Sequence, residues 1–211
     1  MRTNSNIRSL VFIALFAALF IVMSSVDIKL GTKILPFTLQ TMAVALAGAF
    51  LGPRNGFLSI AAVVALTATG LPLLHGKGGL SYIIGATGGF IFAFPFCAML
   101  VGFAARYIYR SKLLSNKRVI SIIGLFIAFE LFSSFFAYVP GIPWLAHVAN
   151  ISFSKAMTLY CYPYLLGDAI KSVVAALVTF SLKPYILKIQ SSTTKASFIQ
   201  NQNSGTIKFG Q

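Results

Sequence analysis

The sequence predicts an all-α integral membrane protein with six transmembrane helices, for three reasons. Hydrophobic residues make up 57% of the 211 residues and charged residues only 9%, whereas soluble domains carry about 25% charged residues. Apolar runs recur along the chain, and a helix needs about 20 residues to cross a bilayer core. Lys and Arg outnumber Asp and Glu by 17 to 3, and they flank the apolar runs instead of forming a patch with interleaved aromatics. The expected surroundings are therefore a lipid bilayer, and no nucleic-acid partner is expected.

Six segments are apolar enough to cross: residues 7–26, 37–51, 56–69, 81–105, 119–139 and 159–187. No small-residue cleavage site follows the first, so it is not a removable signal peptide. Pro36 sets the start of the short second segment. Residues 71–79 are rich in glycine yet partly apolar, and irregular backbone at membrane depth is tolerated only against protein or a watery cavity. We predict a membrane domain over residues 1–190 and a disordered, polar cytoplasmic tail over 191–211.

The distribution of basic residues predicts that both termini are cytoplasmic. With that orientation 12 basic residues lie inside and 4 outside, and Lys171 lies within a helix, which satisfies the positive-inside rule. The inner residues are Arg2, Arg8, Arg54, Arg106, Arg110, Lys112, Lys117, Arg118, Lys183, Lys188, Lys195 and Lys208, and the outer ones are Lys29, Lys33, Lys77 and Lys155. The sequence therefore predicts a multi-pass membrane protein whose termini and positively charged loops face the cytoplasm.

Two acidic residues stand inside predicted membrane helices, where an ionised group costs roughly 2.5–3.5 kcal/mol on insertion scales. Asp168 and Lys171 are three residues apart and share a helix face. They form either a self-neutralising pair or a clamp in which Asp168 accepts from N–H donors and Lys171 meets an anionic group. Glu130 is expected to join helices through neighbours such as Ser133 or Ser134. The third acidic residue, Asp27, is expected to be an interfacial charge.

Clusters of small residues are a second indication, after the acidic residues, of where a ligand or another helix can bind. The Gly-Ala-Thr-Gly-Gly stretch at 85–89 opens the fourth segment, where small side chains allow close approach of a helix or of a ligand. Ala14 and Ala18 give the first segment a small-residue face on which another helix can dock, although this spacing is common by chance.

Enzyme chemistry finds no support in the motifs. His75 and His147 lie in predicted outer loops, and Cys97 and Cys161 have no metal-ligand spacing and are expected to be buried as small hydrophobic residues. The chain contains no His-Glu-x-x-His and no Gly-x-x-x-x-Gly-Lys-[Ser/Thr] motif. We therefore expect no catalytic residues, metal or cofactor, and any active transport would draw its energy from another subunit.

Three stretches together resemble the BioY family. The first stretch is Pro-Phe-Thr-Leu-Gln-Thr at 36–41 together with Leu-Gly-Pro-Arg-Asn-Gly at 51–56. The second is Gly-Leu-Pro at 70–72 together with the glycine-rich run that ends at Phe90. The third is Trp144 together with the Gly-Asp-x-x-Lys element at 167–171. Their order and spacing match the family from about residue 8 to residue 188. The family usually has Gly-Pro-Thr-Gly-Gly-Tyr where this chain has Ala86 and Phe90.

The resemblance implies a biotin-specific substrate-binding (S) component of an energy-coupling factor (ECF) transporter. The implied docking face for the transmembrane scaffold is Ala14 and Ala18, and ATP would be bound by partner ATPases. Asp168 suits the ureido N–H groups of biotin, while Lys171 either offsets the biotin carboxylate or keeps Asp168 ionised. Aromatic rings would pack on the thiophane. The residues expected at the substrate are Asp168, Lys171, Thr87, Gly85, Gly88, Tyr82, Trp144, Tyr164 and Gln40, and the loop 29–35 could close over them.

Biotin capture and uptake is accordingly the predicted function. An S component for another vitamin is the alternative, to be separated by a panel of vitamins. A membrane-embedded enzyme or a passive channel is more remote, since the first would show turnover and the second would conduct without saturating.

Overall fold

The computed structural model describes residues 2–28, 37–111, 114 and 117–190, and it is a bundle of helices. One short antiparallel pair of strands joins β1 (Asp27–Ile28) to β2 (Phe37–Thr38), with Asp27 opposite Thr38. The helices are α1 (Arg2–Ser25), α2 (Gln40–Ala68), α3 (Leu80–Ile83), α4 (Gly88–Arg110), α5 (Arg118–Phe129), a π-helical turn (Glu130–Phe135), α6 (Phe136–Val148), α7 (Phe153–Tyr160), α8 (Tyr162–Ser181) and α9 (183–190). The loop 29–35 and the tail 191–211 lie outside the described residues, as does the side chain of Asp27.

Five helical stretches among the described residues are long and apolar enough to cross a membrane. They are Ile7–Ser25, Gln40–Ala68, Gly88–Arg110, Arg118–Val148 and Tyr162–Ser181. Large apolar side chains also point outward from them, among them Leu10 at 65% exposure and Leu166 at 75%. Exposed apolar surface of this extent is expected against lipid. The protein is therefore a multi-pass membrane protein.

The predicted second and third spans meet within α2, which reverses direction at Gly52. Gly52 has φ 77° and ψ 177°, and Pro53 follows it. A Cβ built on Gly56 would lie 3.0 Å from the Cα of Gly48, whereas residues eight apart on a straight helix are separated by about 12 Å. The arms 40–51 and 53–68 therefore fold back on each other, because a positive φ suits glycine and proline suits the first turn of the second arm.

The last three predicted spans differ from the structure mainly at their ends. α4 begins at Gly88, after the separate short helix α3. The fifth span continues to Val148, and Pro140 and Pro143 lie within it. The sixth is divided at Cys161, because Pro163 in the first turn of α8 cannot continue a preceding helix.

The tightest packing joins α2 to α4 through glycines. A Cβ on Gly102 would lie 2.5 Å from the backbone nitrogen of Pro53, and one on Gly48 would lie 2.9 Å from the Val101 side chain. Small residues allow this approach. Cys97 and Cys161 are both buried free thiols, which confirms their assignment as buried hydrophobic residues. The opposite ends of α2 and α4 separate enough to leave a cavity.

Candidate functional site

An open cavity lies among the starts of α2, α4 and α8 and the junction of the π-helical turn with α6. Counting its open mouth, the space between its walls is about 570 Å³. Its walls are largely apolar and aromatic, with a few polar groups. The lining residues are Phe37, Thr38, Gln40, Thr41, His75, Tyr82, Thr87, Phe90, Ile91, Phe94, Ser134, Ala137, Tyr138, Tyr164, Asp168 and Lys171.

Asp168 and Lys171 form an ion pair in the wall of this cavity. The Lys171 Nζ lies 2.6 Å from Asp168 Oδ1, and the two residues are only 7% and 2% exposed. The Tyr138 hydroxyl donates to Asp168 Oδ2 at 2.5 Å, and the Thr41 hydroxyl approaches Oδ1 at 3.5 Å. An ionised carboxylate has about four acceptor sites, so Asp168 retains capacity to accept from a ligand.

Lys171 is held from the other side by the strand that precedes α2. It donates to the Thr38 carbonyl at 3.0 Å, and its Nζ lies 4.2 Å from the centroid of the Phe37 ring. Gly167 makes room for that ring, since a Cβ at this position would overlap it. The Phe37 ring also packs on Tyr164. A buried ammonium needs such partners, because removing it from water is costly.

The start of α2 supplies two further polar side chains. The Thr38 hydroxyl donates to Gln40 Oε1 at 3.1 Å and accepts from the Gln40 backbone N–H at 3.3 Å. Both residues are at least 90% buried. Their mutual hydrogen bonds stabilise the turn before α2 in which the Thr38 carbonyl faces Lys171.

α3 and the loop before it close another side of the cavity. Burial raises the pKa of the Tyr82 hydroxyl, and its interaction with Thr87 opposes this shift, so Tyr82 is a neutral donor at neutral pH. His75 adopts a φ of 54°, which is uncommon for a residue other than glycine. It occupies a tight loop in which Leu74 and Lys77 form an isolated bridge.

The structure brings six of the nine expected substrate residues to the cavity: Asp168, Lys171, Thr87, Tyr82, Tyr164 and Gln40. It places Trp144, Gly85 and Gly88 behind the wall. Trp144 Nε1 donates to the Gly85 carbonyl at 2.9 Å, and a Cβ on Gly88 would lie 2.9 Å from that nitrogen. The glycines thus admit the indole, which anchors the start of α4 and is itself 36% exposed.

Glu130 joins two helices as expected, but the predicted partner is wrong. It accepts a hydrogen bond of 2.7 Å from Ser172 on α8. Ser133 instead donates to the Phe129 carbonyl at 2.7 Å, and the Ser134 hydroxyl has no hydrogen-bond partner among the described residues. The π-helical turn shifts the register of the following residues, so the nearest serines in sequence do not face Glu130.

Tyr138 is the principal site residue that the sequence prediction missed. It lies one residue before the predicted end of the fifth span, close to Pro140, and such a position suggests an interfacial tyrosine. The helix continues through both prolines, and the register within it depends on the π-helical turn. A tyrosine four residues after the small residue Ser134, on the same face of a helix, is the signal that was available.

The fold and the site define a class: a multi-pass membrane protein with an open, largely apolar cavity that carries a few polar groups and suits a small ligand. The described residues contain no group of three His, Cys, Asp or Glu that could hold a metal. The family model of the BioY family matches residues 1–188. The chain therefore belongs to the BioY family.

Proteins from other organisms are similar to this chain over most of its length. The biotin transporter BioY of Rhizobium etli is 34% identical over 173 residues, which cover 81% of this chain and 90% of the relative. The biotin transporter BioY of Thermotoga maritima is 31% identical over 182 residues, 83% and 96% of the two chains. A crystal structure of the S-component for biotin from an ECF-type ABC transporter superposes with a TM-score of 0.75 at 29% identity, covering 87% of this chain and 95% of that one.

Proposed function

We propose that this protein captures biotin and serves as the substrate-specificity subunit of an ECF-type transporter in a bacterial cytoplasmic membrane. The observation that carries the proposal is the Asp168–Lys171 pair in the wall of an apolar cavity. It occurs in a member of a family whose named relatives are biotin transporters. The chain is not an enzyme, and biotin is its substrate rather than a cofactor.

The lining matches the chemistry of biotin. The ureido ring offers N–H donors, and one of them suits the open acceptor sites of Asp168 through a charge-assisted hydrogen bond. The apolar thiophane ring suits the aromatic walls, including Phe90 and Tyr164. The 2.6 Å separation of the ion pair favours a role for Lys171 in keeping Asp168 ionised. A role in offsetting the biotin carboxylate remains the alternative.

The proposed substrate contacts are completed by Gln40, Thr87 and Tyr82. The start of α4 is held in place from behind the cavity wall by Trp144, Gly85 and Gly88. The Tyr82 hydroxyl is a donor available to the ureido oxygen or the carboxylate. Each of these roles is a proposal that a binding measurement on the corresponding variant can test.

The proposed topology has six crossings with both termini in the cytoplasm. The reversal at Gly52 supports this count, because it divides the 29 residues of α2 into two arms. The excess of basic residues on the inner side supports the orientation. The membrane domain would end near residue 190, with a cytoplasmic tail beyond it.

The proposed partners are a transmembrane scaffold and ATPases that bind ATP. Ala14 and Ala18 are both exposed on α1, as a docking face requires. The outward position of this helix agrees, since only 17% of its membrane segment is buried within the bundle.

The test is equilibrium binding of labelled biotin to the purified, detergent-solubilised chain, with the Asp168→Asn variant alongside. We expect saturable binding near one biotin per chain and a loss of at least 100-fold in affinity for the variant, because its amide replaces a charged acceptor by a neutral one. A folded wild-type chain that binds no biotin would overturn the assignment. A panel of vitamins would then distinguish a sister S component, and turnover or unsaturable flux would indicate an enzyme or a channel.

A further inference from the structure

Ser134 is a cavity residue whose hydroxyl is left without a partner. It lies in the π-helical turn Glu130–Phe135 and is only 2% exposed. Its Oγ is buried and accepts or donates no hydrogen bond within the described residues, yet the side chain lines the cavity. Burying a hydroxyl without a partner costs free energy, so this arrangement calls for a group that satisfies it.

The neighbouring serine shows that the turn itself does not impose this cost. Ser133 is equally buried, at 1% exposure, and donates to the Phe129 carbonyl at 2.7 Å. This back-bonding to the carbonyl four residues earlier is the usual way in which a helix satisfies a serine. Two adjacent serines therefore differ in one respect: the one that lines the cavity is the one left unpaired.

The other hydroxyl and charged groups around Ser134 are already engaged. Asp168 accepts from Lys171, Tyr138 and Thr41, and Thr38 and Gln40 bond to each other. Ser134 therefore brings to the cavity wall a hydroxyl that has no hydrogen-bond partner within the described residues. A ligand that makes this bond gains it without breaking a protein hydrogen bond.

Ser134 also shares a wall with the carboxylate. Ala137 and Tyr138 follow Ser134 by three and four residues, and all three residues line the cavity. Tyr138 contacts Asp168 directly. A ureido ring that directs one N–H group to Asp168 carries its carbonyl oxygen beside that N–H group, within this polar part of the cavity.

We infer that the Ser134 hydroxyl donates a hydrogen bond to the ureido group of bound biotin and is a specificity-determining residue of the site. The inference rests on the proposed function. The Ser134 hydroxyl in the π-helical turn is a neutral hydrogen-bond donor, and the Asp168 carboxylate on α8 is a charged acceptor. Together they can bind the carbonyl oxygen and an N–H group of the ureido ring.

The experiment compares Ser134→Ala with Ser133→Ala, in detergent, by biotin binding and by thermal unfolding of the ligand-free chain. We expect Ser134→Ala to weaken biotin binding about 10-fold, the loss of one net hydrogen bond. Its ligand-free unfolding temperature should equal or exceed that of the wild type, because an unsatisfied hydroxyl has been removed. Ser133→Ala should bind biotin within about 2-fold of the wild type.

A Ser134→Cys variant provides a second reading, because a thiol fills a similar volume but is a weak donor. It should lose affinity as Ser134→Ala does. Unchanged biotin affinity in both variants would overturn the inference. So would a lowered unfolding temperature of the ligand-free Ser134→Ala variant, which would give the hydroxyl a structural role. Neither result bears on biotin binding by the wild-type chain, which tests the proposed function separately.

A biotin analogue that lacks the ring sulfur locates the contact on the ligand. It retains the ureido ring, so Ser134→Ala should weaken its binding by the same factor as it weakens biotin binding. If the effect of the substitution disappears with this analogue, the hydroxyl contacts the sulfur and the ureido assignment is wrong.

Discussion

Two carboxylates lie inside the helical bundle, and their surroundings differ sharply. Asp168 is nearly fully buried, lines the cavity and contacts a lysine, a tyrosine and a threonine. Glu130 is partly buried, does not line the cavity and is bonded to Ser172. An acidic residue at membrane depth is therefore not by itself a ligand site. Asp168 differs from Glu130 in having several hydrogen-bond donors around it and an open cavity beside it. These two features distinguish the proposed binding carboxylate from the one that joins helices.

The largest effect that would test this comparison is expected from Lys171→Met. The substitution keeps the length of the side chain but leaves Asp168 buried without its cation, and breaking a buried pair in this way costs about 3–5 kcal/mol. We expect biotin affinity to fall by at least 100-fold. The matched control is Lys155→Met, because Lys155 is exposed on α7. Retention of affinity in Lys171→Met would mean that Asp168 does not depend on this lysine.

An intermediate effect is expected from Tyr138→Phe. It removes the hydroxyl that donates to Asp168 at 2.5 Å and keeps the ring that packs edge-on against Phe90. A hydrogen bond to a charged group contributes about 1.5–3 kcal/mol, so we expect a loss of roughly 10-fold or more in biotin affinity. Tyr107→Phe, at a tyrosine that is 71% exposed, should bind like the wild type. Equal affinities for the two variants would remove Tyr138 from the site.

The smallest effect is expected from Glu130→Gln. The amide can still accept from Ser172, so biotin affinity should stay within about 3-fold of the wild type and the unfolding temperature should fall only slightly. A double-mutant cycle with Ser172→Ala measures the coupling of the two side chains. Abolished binding in Glu130→Gln together with intact binding in Asp168→Asn would reverse the roles assigned to the two carboxylates.

The sequence predicted the class of fold and six of the sixteen residues that line the cavity, where local patterns and the family resemblance carried the information. Apolar runs reveal membrane helices, and the Asp168–Lys171 pair has a spacing that places both side chains on one face. The interruption near Gly52 was also visible, as glycine followed by proline. The reversal between the second and third spans followed from the two predicted crossings, whereas the close packing of Gly56 against Gly48 was not visible.

The differences between the expected and the observed surroundings of these residues come from tertiary contacts. Trp144 is aromatic and lies near the site in sequence. Its indole N–H, however, donates a hydrogen bond to the Gly85 carbonyl behind the cavity wall. Ser172 was not recognised as the partner of Glu130 because the two residues belong to different helices. Tyr138 and Ser134 were missed because the register of α6 depends on how many residues the π-helical turn contains, which apolar periodicity does not report.

That turn has a consequence for sequence variation. A residue in an α-helix advances by about 100° around the axis, and a π-helical turn accommodates residues that the α-helical repeat would not. Deleting one residue between 130 and 135 would therefore rotate everything that follows by roughly a quarter turn, carrying the Tyr138 hydroxyl away from Asp168 while leaving the hydropathy of the segment almost unchanged. Homologues that differ here by a single insertion or deletion can thus span the membrane equally well and present different faces to the ligand.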